Sequence, residues 1–320
     1  MLKLKNITRI LTLLLIAIFI ISGCSDDTSP VLSEEKLTDD AALKQLIEED
    51  EAYQSFEPAY NEEETMLIVA PKIDATIYPV RVGQRMRLTD VDIAKVIEGD
   101  TAFVSVTKYF SGRLFIAASY DEFVRGDSIV IDTLIEKNFE TKITRNFKFL
   151  KIADTEYAKK NWKLVAISLP EGGTITDGML SDNIKITRLT ITLGTGEEFV
   201  VENPNEFYLT RGTKEQIPLL GRFESALLTA EVTSAYEEDD FVTLTYGARK
   251  GGLNRSKQRF ELISSEFDGA VYHKIYQASY RTHQFPGYFH AIINAIPDQV
   301  VTDDSTPVEE HSWGVPYRVN

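Results

Sequence analysis

From residue 66 onward, apolar residues alternate with polar ones in short runs, and glycine or proline closes many of those runs. A period of two marks half-buried strands, whereas an amphipathic helix needs a period near 3.6. No long helical period appears in this part of the chain. A doubly wound α/β fold, which needs helices between its strands, is therefore excluded, and an antiparallel all-β architecture is expected. Leu67-Ile68-Val69-Ala70 reads as a strand stopped by Pro71. Val91, Ile93 and Ile97 share one face of the next, and Glu98-Gly99-Asp100-Thr101 turns it back. Phe103-Val104-Ser105-Val106 follows, Ser111-Gly112 is expected to turn again, and Leu114-Phe115-Ile116 to open another strand. Further strands are expected over 128–132, 147–152 and 162–169, with a break at Pro170-Glu171-Gly172-Gly173. A hairpin is expected to run through 184–193, turn at Gly194-Thr195-Gly196-Glu197 and return through 199–201.

The last hundred residues carry about six strand patterns, at 227–232, 241–246, 260–263, 271–280, 288–296 and 315–319. Their number and spacing resemble an immunoglobulin-like β-sandwich. Gly287-Tyr288-Phe289-His290-Ala291 is similar to the penultimate strand of such domains, written Gly-x-Tyr-x-Cys in antibodies. Phenylalanine stands for the tyrosine and alanine for the cysteine, so the resemblance implies the fold without the tyrosine corner or the disulfide. The plan expected is a signal peptide at 1–23, an acidic tether at 24–65, one or two antiparallel β-domains at 66–215, and an immunoglobulin-like sandwich at 216–320.

The N-terminus is a positive start (Lys3, Lys5, Arg9) followed by an apolar run over 10–21, interrupted by Thr12. That run is about 12 residues long, while a helix crossing a bilayer needs about 20. It fits the apolar region of a secretory signal, the other reading being a short transmembrane anchor. Ile21-Ser22-Gly23-Cys24 follows, and Cys24 is the only cysteine in the chain. This stretch resembles the lipobox of bacterial lipoproteins. The resemblance implies cleavage before Cys24, a diacylglyceryl thioether on its sulfur and a palmitate-type chain on its nitrogen. Several chains hold a protein to a membrane stably where one does so marginally. Ser25-Asp26-Asp27 is similar to the surface-export signal of Bacteroidota lipoproteins. The address implied is the bacterial envelope, at the outer membrane, on its periplasmic or its surface-exposed face. One cysteine permits no internal disulfide, so the body depends on burial for its stability.

The net charge is −15, and residues 24–65 hold fourteen acids against Lys36 and Lys44. Such a stretch repels anionic surfaces, and nucleic acid is disfavoured, with none expected as a partner. One helix is expected within it. Thr38 is the N-cap, Asp39 and Asp40 occupy the first turn, Leu43, Leu46, Ile47, Tyr53 and Phe56 form the apolar face, and Pro58 is the stop. It is expected to pack loosely on the body, the sharper reading being a docking helix for a partner. About 40 residues of tether would let the β-domains stand clear of the lipid.

Chemistry is sparse. The chain has no nucleophile elbow, zinc-protease helix, phosphate loop or dinucleotide fingerprint. No catalytic or cofactor-binding residue and no cofactor are assigned. The metal candidates are His283 and His290, which would face each other only if Pro286-Gly287 centred a two-residue hairpin. L-proline does not suit that turn, and no metal is expected. Tyr272, Tyr276 and Tyr280 share a strand face, read as core before sugar platform. Arg249, Lys250, Arg255, Lys257 and Arg259 form a basic loop, a solvated hairpin tip before an anion clamp. Asp303, Asp304, Glu309 and Glu310 match no calcium loop. Arg125-Gly126-Asp127 reads as a turn before an adhesion signal. The function expected is a non-catalytic binding or spacer role for an envelope lipoprotein with a protein or glycan partner. The alternatives are a structural subunit of an envelope assembly and a hydrolase of envelope polymers.

Overall fold

After helix α1 (Asp39–Glu48) and the short strand β1 (Met66–Leu67), the chain enters three strands of 19 to 21 residues: β2 (Tyr78–Glu98), β3 (Thr101–Ser119) and β4 (Thr133–Lys151). A computed structural model describes residues 37–50, 66–67, 77–121, 130–176, 178–211, 217–248 and 256–320. Helix α2 (Ala158–Asn161) leads to β5 (Trp162–Ser168), β6 (Glu171–Thr176), β7 (Met179–Leu180), β8 (Ile184–Leu193) and β9 (Glu198–Val201). Then come β10 (Tyr208–Thr210), β11 (Leu219–Leu220), β12 (Ser225–Ser234), β13 (Phe241–Ala248), β14 (Ser256–Arg259), β15 (Glu261–Phe267), β16 (Tyr272–Arg281) and β17 (Gly287–Ile296). Helix α3 (Asp298–Thr302) and β18 (His311–Val319) end the chain. The protein is all-β, as its alternation predicts.

Two sheets form. The larger follows the path β1-β2-β3-β4-β6-β18-β17-β13-β14, and the smaller has the order β15-β16-β12-β8-β9. The smaller sheet packs on β13, β17 and β18 as a sandwich, and Leu189, Leu228, Tyr276, Ile293 and Trp313 are among its core residues. The opposite face of β13 and β17 is also covered. Phe241 and Ile296 share a core cluster with Met86, Phe110, Leu114 and Phe139 of the long meander and Val300 of α3. Strand β17 is thus buried on both sides, which is why Ala291-Ile292-Ile293 reads as an unbroken apolar run. The hairpin expected over 184–201 is present, but β8 and β9 belong to the sandwich sheet through the β8–β12 pairing. Strand pairing therefore does not divide the chain at residue 216.

Three expectations are corrected. Ser111-Gly112 is no turn, because β3 runs through it. A Cβ on Gly112 would lie 2.4 Å from Cζ of Phe139, so glycine is there to admit the ring. Gly172-Gly173 is no break either: both residues lie in β6, between β4 and β18. A Cβ on Gly172 would meet Ile143 Cγ1 at 2.6 Å, and one on Gly173 would meet Glu310 O at 2.6 Å. Described residues 130–132 are not strand, and the strand lies at β4 instead.

Helix α1 forms as its N-terminal signals predict, with Thr38 Oγ1 accepting from Ala41 N at 3.3 Å. It ends at Glu48, and Tyr53, Phe56 and Pro58 lie outside the described residues. It does not pack loosely. Leu43 and Ile47 are fully buried among Ala102, Val104, Phe147, Phe149 and Trp162. Asp39 Oδ1 accepts from Trp162 Nε1 at 3.0 Å, and Arg211 and Lys159 reach Asp50 and Glu49 at the other end. The helix is part of the body, which runs as one unit from Leu37 to Asn320. Leu43→Ala should therefore lower unfolding stability by about 2–5 kcal/mol in urea titrations, the cost of a core cavity. A helix on a free tether would show almost no change.

Candidate functional site

Among the described residues, charged and polar side chains enter the interior at several places, Arg145 and Lys108 of the meander included, and four of these places gather polar groups into clusters. The first is the clasp on the loop between β12 and β13. Lys274 shares the inward face of β16 with Tyr276 and Tyr280, and its Nζ lies 2.8 Å from Asp240 Oδ2. Both side chains are fully buried. Ser234 Oγ donates to Asp240 Oδ1 at 3.1 Å, Asp240 N donates to Tyr276 Oη at 3.0 Å, and Lys274 also donates to Glu238 O. Burial pushes the Asp240 carboxyl up to about 6, against the pull of Lys274. The folded state therefore holds this proton at a higher pH than the unfolded chain, and the contribution of Asp240 to stability falls as pH rises from about 4 to about 6. Arg259 closes the clasp from outside, donating to Asp239 Oδ2 at 3.0 Å.

The second is His311, buried where β18 meets β6 and β8. Its Nδ1 accepts from Ile186 N at 3.3 Å, which leaves the ring proton on Nε2, 3.3 Å from Glu171 Oε1. Burial alone would raise the Glu171 carboxyl; hydrogen bonds from His311 and Trp313 and the charge of Lys185 outweigh it and hold the group below its usual range. Asn205 Nδ2 donates to the other oxygen, Glu171 Oε2, at 3.0 Å. Through Ile186 on β8 and Glu171 on β6, this imidazole on β18 lies where three strands meet.

The third is Lys137, on the inward face of β4. Its ammonium donates to the backbone carbonyls of Val300 and Thr306 at 2.8 Å each, and to that of Asp303. Asp303 Oδ1 accepts from Ser305 N at 2.6 Å and is held at about 2, chiefly by its hydrogen bonds to Ser305. The loop considered for calcium thus wraps a cation that the chain itself supplies. Of the other acids there, Glu309 accepts from Asn183 and Tyr236, and Glu310 from Asn294.

The fourth is a cleft between the meander and the sandwich. Gln84, Thr141, Asn294, Glu310, Ser312 and Lys257 line it. Asn294 Nδ2 donates to the buried Glu310 Oε2 at 3.0 Å. The enclosed part has room for about one water molecule.

The sequence candidates fall as follows. Strand β16 ends at Arg281 in one sheet and β17 begins at Gly287 in the other, so His283 and His290 do not face each other across a hairpin. His283 packs edge-on to Phe289 at 4.5 Å. Among the described residues no group of three or more His, Cys, Asp or Glu could hold a metal. Tyr276 and Tyr280 are core, and Tyr280 lies 5.2 Å from both Tyr246 and Tyr317. Within the basic loop, residues 249–255 lie outside the described set, while Lys257 and Arg259 lie on β14. Cys24 and Arg125-Gly126-Asp127 also lie outside it. The Asp240–Lys274 pair escaped sequence reasoning, although a lysine between two inward tyrosines was the available signal. No protein-family model matches the chain, and no curated protein matches it.

Removing one member of a buried ion pair leaves the other charge stranded. Asp240→Ala or Lys274→Met alone should cost about 3–5 kcal/mol in denaturant unfolding. The double substitution should recover most of that loss, because no charge remains buried. Additive losses would show that the two groups do not act as a pair.

Proposed function

We propose that the chain is an envelope lipoprotein, held at the outer membrane by acyl groups on Cys24, whose β-body has a non-catalytic binding or spacer role. The observation that carries the anchor is Ile21-Ser22-Gly23-Cys24 directly after a positive start and a short apolar run. Among the described residues no helix is long and apolar enough to cross a membrane. The strand order supports an immunoglobulin-like reading of the sandwich. Strands β8, β12, β16 and β15 follow the A-B-E-D order and β18, β17, β13 and β14 the G-F-C-C′ order, with β11 parallel to β18. Such sandwiches serve widely as spacers and binding modules, which is analogy at the level of fold. The site chemistry agrees with it, since the buried charges in the clasp, at His311 and around Lys137 are committed to holding strands and loops.

A second reading, a structural subunit of an envelope assembly with a protein partner, is favoured by the edge of β2. That edge carries a run of exposed apolar side chains, Leu88, Val91 and Ile97, which suit a protein partner. The hydrolase reading is weaker. Glu310 is the one carboxylate lining the cleft, and glycoside hydrolysis needs two, about 5–10 Å apart.

Cys24→Ser tests the anchor. It should abolish lipid incorporation and leave an uncleaved precursor or a soluble protein, while mass spectrometry of the wild type finds acyl groups on a peptide beginning at Cys24. A mature protein retaining residues 1–23 unmodified would refute the lipoprotein reading.

A further inference from the structure

On one face of the long meander's tip, four exposed apolar side chains lie near one another. Strand register places Val96 directly opposite Phe103, and Phe103 opposite Lys148. Leu150 lies diagonal to Phe103 on the same face, and Ile152 follows just beyond the strand. These side chains are 56% (Val96), 38% (Phe103), 42% (Leu150) and 58% (Ile152) exposed. Lys148 lays its ammonium 5.4 Å from the centre of the Phe103 ring, so an apolar surface is flanked by a basic head on a flexible stem. That combination suits the boundary between lipid headgroups and acyl chains, where apolar side chains enter and lysines reach back to the phosphates.

The place where the described chain begins decides what this patch meets. Helix α1 is docked on the reverse side of the same sheet end, against Ala102, Val104 and Phe149. Asp40 pairs with Lys95, the neighbour of Val96 in sequence. The body is therefore tethered at its meander tip. From Cys24 to Leu37 there are 13 residues, which span at most about 45 Å. The opposite end of the meander, at Leu134, is 16 residues of extended strand from Leu150, or about 53 Å farther along. The 40-residue tether expected from sequence is cut short because α1 is built into the core.

We propose that the patch formed by Val96, Phe103, Leu150 and Ile152 docks on the phospholipid surface, so that the lipoprotein lies tip-down on its membrane. This rests on the lipid anchor at Cys24. The test uses the full-length, membrane-extracted protein in vesicles of phosphatidylethanolamine and phosphatidylglycerol. Val96→Cys and, as a control at the far end, Leu134→Cys each receive an environment-sensitive fluorophore, and brominated lipids serve as quenchers. The dye at position 96 should shift to shorter wavelength and lose intensity with brominated lipid, while the dye at position 134 should do neither. Protein that floats with the vesicles while position 96 stays water-like overturns the docking and leaves the anchor standing. Protein that does not float and takes up dye on Cys24 overturns the anchor and the docking together. A dye at position 96 shielded in native envelopes but not in pure vesicles gives the patch to a protein partner and overturns the membrane assignment.

Discussion

The close approach of three backbones at β6 governs the rest of this structure. Lys142 and Ile143 of β4 lie on one side of Gly172-Gly173, and His311 and Ser312 of β18 on the other. A methyl group at either glycine would sit 2.6 Å from a neighbouring atom, well inside contact distance. Because no side chain intervenes, the meander and the sandwich share one hydrogen-bonded sheet. That continuity brings the reverse face of β17 against Met86 and Phe139, and the polar cleft lies along the resulting seam.

The period-two pattern made the all-β class legible, and Thr38 with its two acids made α1 legible. What misled was glycine. Gly99 and Gly196, with φ of +58° and +82°, do turn the chain as read. Gly112, Gly172 and Gly173 carry the same letter for a different reason, since a ring or a strand passes where a side chain would be. Only the partner across the sheet distinguishes the two uses, and that partner lies far away in sequence. Burial on both faces was equally hidden, because an apolar run such as Ala291-Ile292-Ile293 does not reveal how many layers it separates.

The candidate sites were legible in type and illegible in pairing. Acids cluster in the sequence at 237–240 and at 303–310. The folded chain pairs Asp240 with Lys274 and Asp239 with Arg259, and Lys137 fills the carbonyl cage of the second cluster. Lys274 and Lys137 stand dozens of residues away on inward strand positions, and Arg259 reaches over from β14, 20 residues from Asp239. The interior is thus polar where loops are pinned, and the surface is apolar at the meander tip, where Val96, Phe103 and Leu150 are exposed.

The central claim is that the β6 joint makes the meander, helix α1 and the sandwich one cooperative body. Scanning calorimetry of the intact protein measures this directly, by comparing the heat absorbed with the enthalpy inferred from the sharpness of the transition. The account predicts a single transition in which the two enthalpies agree. Two resolved transitions, with the sandwich surviving after the meander has melted, would contradict it.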